Sequence, residues 1–263
     1  MNFRGGFALI RRTMFGFMAE KGFFWTLTLG WMMGPIIYMF VWTVAAGDGS
    51  ITGFTQQDFV RYYILLILVN QLTYPTSHWT VGDQIYGGKM SIVLLRPISP
   101  FYDVVASDLA VKIVCMPFVI FVAGVAAIFL NFRLAISGLD LLVAVYLLLM
   151  AQIIRFMLAY TLSLFAFFTN KIKSLLSIND TLVFLLAGQV APSSLLPGFM
   201  QDISDYLPFQ YMISFPIEFS LGKLDHSQLV FGIIVQFIWA VVIILCNRLV
   251  WKKGIRAYMA VGG

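Results

Sequence analysis

Long apolar windows separated by short polar loops set the rhythm of this chain. Windows at about 22–45, 59–81, 104–130, 138–168, 175–196 and 228–249 are each apolar enough for a membrane-crossing helix, which needs about 20 residues. The fourth is overlong and should tilt or run past the hydrocarbon, and the fifth holds more than one simple span. The first is too long for a signal-peptide core and lacks a small-x-small site, so it reads as a retained span. Residues 1–21 follow a different period. Phe3, Phe7, Ile10, Met14 and Met18 recur every three or four positions, while Arg4, Arg11 and Arg12 take other angles. That pattern predicts an interfacial amphipathic helix, either an anchor for the first span or a partner contact. With no internal repeat and no Gly/Ser/Pro-rich linker, 1–263 reads as one all-α transmembrane domain of six helices.

Composition supports the reading. The 263 residues are 60% hydrophobic and 11% charged, against about 25% charged for a soluble domain. So few charges cannot clothe a surface in water. Lys and Arg then orient the spans. One set of loops holds Arg4, Arg11, Arg12, Lys21, Lys89, Arg96, Lys171, Lys173, Arg248, Lys252, Lys253 and Arg256. The alternate set holds Arg61, Arg133 and Lys223, together with Asp48, Asp58, Asp202, Asp205, Glu218 and Asp225. Both termini should therefore be cytoplasmic. Cys115 and Cys246 lie in apolar runs and read as small core residues. His78 and His226 fall on opposite sides of the membrane, and no Cys/His cluster or nucleophile elbow occurs. No metal site, resident cofactor or catalytic residue is expected, nor a nucleic-acid partner.

The stretch from Gly82 to Pro100 joins the second and third spans on the cytoplasmic side. Asp83 suits an N-cap, and Pro97 disfavours helix at Arg96, so the pattern predicts one amphipathic helix over 84–96. Ile85, Met90, Val93 and Leu94 supply its apolar contacts, flanked by Lys89 and Arg96. Gly88-Lys89 does not belong to a phosphate-binding loop. Such a loop needs Gly where Asp83 stands and Ser or Thr where Met90 stands.

This segment resembles the coupling helix of type-2 ATP-binding-cassette permeases, roughly Glu-Arg-Glu-x-Gly-Thr-Leu-Glu-x-Leu-Leu-x-x-Pro. Gly88, Met90, Val93, Leu94 and Pro97 fall on the glycine, first leucine, leucine pair and proline, while Gln84 and Tyr86 replace glutamates. The ending Leu94-Leu95-Arg96-Pro97-Ile98-Ser99-Pro100 is most similar to the less characterised permeases built from two unequal subunits. Downstream, Gly188, Pro192, Pro197, Pro208 and Pro216 resemble that family's outer re-entrant hairpin, here 192–216. The four prolines cannot share one straight helix, and an ordinary external loop is the alternative. The resemblance implies a bacterial plasma-membrane exporter subunit that is not itself an enzyme. Two copies of a cytoplasmic ATPase, using ATP and Mg, would dock on Gln84, Ile85, Tyr86, Gly88, Lys89, Met90, Val93, Leu94 and Arg96. A second, identical or related permease would complete the path for a hydrophobic, lipid-like, drug or glycan cargo. Lys171 and Lys173 offer either a second ATPase contact or positive-inside anchoring.

Polar residues at mid-membrane carry a further expectation. Arg155 and Gln152 in the fourth span, with Asn70 and Gln71 in the second, can share one depth. A buried Arg costs about 2.5–3.5 kcal/mol on insertion scales. The group either lines the transport path or clamps helices together. Asp108 and Lys112 stand i, i+4, and a Lys112–Asp180 bridge is a further possibility. Pro35, Pro75 and Pro117 should kink the first three spans. An ion-coupled transporter would show paired mid-membrane acids and broken helices in both halves, which are not evident. A non-transporting scaffold is disfavoured only by the coupling-helix resemblance.

Overall fold

Apolar length and capping decide where the helices run in the computed structural model, which describes residues 3–76, 78–130, 132 and 137–258. The first half contains α1 (Phe3–Ala19), α2 (Lys21–Ala46), β1 (Ser50–Ile51), β2 (Phe54–Thr55), α3 (Gln56–Thr73), α4 (His78–Tyr86) and α5 (Met90–Leu94). The second contains α6 (Pro100–Phe129), α7 (Gly138–Ser163), α8 (Ile172–Leu186), α9 (Gly198–Tyr206), α10 (Ser214–Ser220) and α11 (His226–Ala257). Arg133 and the side chains of Phe3, Arg4 and Lys21 lie outside the described residues.

Four described helices, within α2, α6, α7 with its 3-10 extension Leu164–Phe167, and α11, are long and apolar enough to cross a membrane. Phe40, Val44, Phe121, Ile128, Leu142 and Ile234 stand exposed on their outer faces, a surface suited to hydrocarbon rather than water. The chain is an all-α membrane protein, and the two-residue hairpin β1–β2 is the strand pair among the described residues.

Two expected spans take another form. The 59–81 window is not one helix: α3 ends at Thr73, because Pro75 cannot continue the ladder, and α4 starts afresh at His78. Pro35 and Pro117, in contrast, lie inside α2 and α6. The 175–196 window also breaks. Helix α8 has 15 residues, about 22 Å, and stops before Ala187-Gly188. A second correction concerns Cys246, which is exposed rather than in the core.

The helices starting at one end of the bundle are capped alike. Thr55 with Asp58, Ser137 with Asp140, and Asp225 with Gln228 form capping boxes at the starts of α3, α7 and α11. The Asp225 carboxyl is held below the usual carboxylate range by the hydrogen bonds from the Gln228 amide and Ser227 hydroxyl. Lys223 Nζ reaches Asp58 Oδ2 at 2.7 Å and Gly53 O at 2.9 Å, tying the hairpin to α3. The opposite end carries α4 and α5. There Arg12 of α1 meets Asp103 of α6 at 3.3 Å, and Tyr258, after α11, touches Ser91. Both ends of the described chain thus lie with α4 and α5.

Between α8 and α11 the chain breaks into α9, α10 and short 3-10 turns. Its non-helical carbonyls are not left bare. Tyr62 Oη donates to Gly188 O at 2.8 Å, while Tyr63 Oη and Trp42 Nε1 both donate to Val190 O at 2.7 and 2.8 Å. Below them the Glu218 carboxylate accepts from the Ser193 amide and hydroxyl and from the Ser214 hydroxyl, at 2.6–2.8 Å. Aromatic side chains from α2 and α3 therefore replace the water that irregular backbone would otherwise require. Gly188 has φ +87°, and an added Cβ would strike the Tyr62 hydroxyl and Ser214. Gly188→Ala is expected to destabilise the protein by more than about 1 kcal/mol, read as a lower unfolding midpoint in detergent. An unchanged midpoint would show that the turn tolerates a side chain.

Candidate functional site

The α4–α5 end is built on glycine. A helix predicted over 84–96 is interrupted at Gly87-Gly88, with Gly88 at φ +71°, a backbone conformation that glycine adopts without a steric penalty. Asp83 is consequently inside α4, not its N-cap, and its carboxylate pairs with Lys173 at 3.3 Å. The break also changes the rotational phase. Ile85, Met90 and Val93 turn inward and are buried against Tyr160, Leu164, Ile172 and Leu176. These three expected docking contacts instead fasten the element to α7 and α8. Gly82 completes the fit, since an added Cβ would stand 3.2 Å from Ile172 Cγ1.

Outward-facing residues form a different row. Tyr86 is 54% exposed, Ile92 64%, Leu94 38% and Leu95 86%, with Lys89 and Arg96 exposed beside them. Of the expected docking set, Tyr86, Lys89, Leu94 and Arg96 are therefore on the surface, and Gln84 and Gly88 are half-buried. Ile92 and Leu95 were not in the expected set, because one continuous helix places the face elsewhere. The Gly-Gly pair was the available signal. Arg96 and Arg12 share one carboxylate, Asp103, at 3.4 and 3.3 Å.

Deeper in the bundle, the four polar residues expected to share one depth do not form a single group. Arg155 Nη1 donates to Asn70 Oδ1 and Thr73 Oγ1, both at 2.8 Å, and its guanidinium lies 5.4 Å from the Tyr74 ring centre. Gln152 turns away and donates to Asp108 Oδ2 at 3.3 Å. Asp108 also accepts from the Thr76 amide and hydroxyl and binds Lys112. The Lys112–Asp180 bridge does not form, because Lys112 is satisfied one turn back on its own helix. Asp180 Oδ2 instead lies 3.7 Å from His78 Nε2. Gln71 is buried but, among the described residues, bonds to none of the other three. Two cavities follow this division. One of about 320 Å³ is walled by Trp31, Tyr74, Arg155, Asp180 and Phe184. A second of about 600 Å³ runs past Gln152, Asp108, Phe101 and Asn247.

A family model described as ABC-2 family transporter protein matches residues 29–262. The chain belongs to the ABC-2 transporter family. The match takes in most of α2 and everything from β1 to α11, leaving α1 outside. No curated protein matches the chain. Membership implies a multi-pass membrane transport component, the permease part of an ABC transporter associated with an ABC ATPase.

In this ABC-2 family protein the Arg155 cluster has a clear energetic logic. A buried guanidinium must find acceptors, and α3 supplies Asn70 and Thr73 three residues apart, on one helix face. Asn70→Ala should therefore cost about 1–3 kcal/mol by leaving a donor unpaired, measured as unfolding in detergent. The loss should shrink in an Arg155→Met background. Equal losses in both backgrounds would break the assigned pair.

Proposed function

We propose that this chain is the membrane subunit of an ATP-driven exporter and that the outward row on α4–α5 is where its cytoplasmic ATPase docks. One observation carries the reading: an exposed apolar row, Tyr86, Ile92, Leu94 and Leu95, rimmed by Lys89 and Arg96, sits on a foundation packed into α7 and α8. A short surface element with an apolar outer face and a rigid inner face suits force transfer, since rigid docking passes displacement on instead of absorbing it. Lys173, exposed and paired with Asp83, lies beside this element as a candidate second ATPase contact.

In the proposed topology α2, α3, α6, α7, α8 and α11 are six spans, α1 rides the inner interface, and both termini are cytoplasmic in a bacterial plasma membrane. The twelve-to-three sorting of Lys and Arg and the common end shared by α1, α4, α5 and Tyr258 support it. The short α3 and α8 are completed by α4, which follows the break at Pro75, and by the folded segment from Gly188 onward, which acts as the outer cap. Two permeases, identical or related, pair with two ATPases that bind ATP and Mg. The Arg155 cavity forms part of the path, and Gln152 and Gln71 lie off it.

Ile92→Asp and Leu95→Asp are expected to abolish co-purification of the ATPase encoded with this permease, leaving the unfolding midpoint unchanged. Val93→Asp should behave differently. It puts a charge into a packed site and should destabilise the permease itself by about 3–5 kcal/mol. ATPase retention by the well-folded Ile92→Asp/Leu95→Asp double variant would remove the docking assignment.

A further inference from the structure

The 320 Å³ cavity is lined by an arginine and an aspartate, Arg155 and Asp180, which make no direct ion pair with each other. Arg155 is buried, 4% exposed, yet its two recorded hydrogen bonds go to neutral oxygens of Asn70 and Thr73. No carboxylate lies within 4 Å of it among the described residues. Both bonds use Nη1, which leaves Nη2 and Nε as a two-donor edge of the kind that binds carboxylate or phosphate. Asp180 also lines the cavity, with its side chain about one-third exposed. Its near neighbours are Asn179 Nδ2 at 3.3 Å and His78 Nε2 at 3.7 Å. Trp31 and Tyr74 complete this wall, with ring centres 4.2 Å apart. Much of the remaining lining, including Leu158, Val183, Phe184 and Met212, is apolar.

We infer that this cavity binds a zwitterionic amphiphile: its anionic group on the free edge of Arg155, its cationic group beside Asp180 and the aromatic pair, and its apolar chain along Phe184 and Met212. The charges of the cavity decide the class. A purely anionic head would gain Arg155 but face Asp180, and a purely cationic head would meet the reverse. A sugar head would leave Arg155 without a counter-charge in a medium where that is costly. Aromatic faces add attraction for a quaternary or primary ammonium. The volume fits a small head group with the first part of a chain. The inference rests on the reading of this cavity as part of the path, but it concerns binding and not ATPase coupling.

The test is equilibrium binding of radiolabelled dodecylphosphocholine to the purified full-length permease in phosphatidylglycerol nanodiscs, without ATPase. Competitors are dodecyl phosphate, dodecyltrimethylammonium and dodecyl maltoside. The expected order places the zwitterion first by about tenfold, the effect of one well-formed charged contact. Arg155→Gln should weaken its binding about tenfold. Asp180→Asn, at a partly exposed position, should bring dodecyl phosphate level with dodecylphosphocholine. Repeating the measurement in phosphatidylcholine nanodiscs separates two sources of the same chemistry. Loss of binding there means that a bilayer lipid fills the site, and retention means that a free amphiphile does. Equal binding of all four probes by the wild type, or an unchanged order in Asp180→Asn, overturns the inference. Because no ATPase is present, that failure is distinct from failure of the docking assignment.

Discussion

Packing of Ile85, Met90 and Val93 against Leu164, Ile172 and Leu176 is the contact on which the rest of the molecule depends. Burying each of these side chains contributes about 1.5–3 kcal/mol, and together they lock α4 and α5 to the ends of α7 and α8. Without that lock the exposed row from Tyr86 to Leu95 would hang on two glycines, with no fixed foundation. With it, the row becomes the outer surface of a rigid corner. The helices of that corner reach the centre of the bundle. On α7, Tyr160 packs in the corner while Arg155 stands just over one turn away. On α8, Leu176 packs in the corner and Asp180 follows one turn later.

The long elements were legible in the pattern of apolar residues because a bilayer imposes length directly. Helix α2 (Lys21–Ala46), against an expected span of 22–45, and α6, α7 and α11 needed nothing beyond continuous hydrophobicity and, for α7 and α11, a capping residue at the start. The elements that escaped were those set by single residues acting through tertiary contacts. Tyr74-Pro75 ended a window that hydropathy reads as continuous. Gly87-Gly88 divided a helix that Asp83 and Pro97 bracketed, and the division rotated Ile92 and Leu95 outward while Met90 and Val93 turned in. Periodicity carries no information across such a break, because the phase restarts at α5.

The polar centre shows the same limit from another side. Depth along the spans grouped Arg155 and Asn70, which hydrogen-bond in the fold, with Gln152 and Gln71, which do not join them. Depth fixes height but not azimuth. Gln152, three residues from Arg155 on α7, points toward Asp108 on α6 because that carboxylate already gathers Thr76 and Lys112. Asp108 was visible only as half of an i, i+4 pair, and its role as the centre of a network with Thr76, Lys112 and Gln152 required the fold. Such a network is also why Lys112 had no need of Asp180. A buried ion pair is tolerated when further hydrogen bonds satisfy it, and the Thr76 and Gln152 bonds do so. Asp180 was thereby left free to face the cavity.

The non-helical stretch Tyr74-Pro75-Thr76 runs between these two regions of the molecule. It leads from α3, whose Asn70 and Thr73 hold Arg155, towards α4, the first helix of the α4–α5 corner. Tyr74 and Pro75 themselves line the Arg155 cavity, and His78 Nδ1 lies 2.8 Å from Pro75 O, so the link is short and tethered at its far side. In the proposed function a displacement of α4 cannot be absorbed in slack chain. It must bend the link, and bending the link moves the Tyr74 ring that lies against both Arg155 and Trp31. The same proline that defeats a continuous second span thus sets a break in the helix between the proposed docking surface and the charged wall of the cavity.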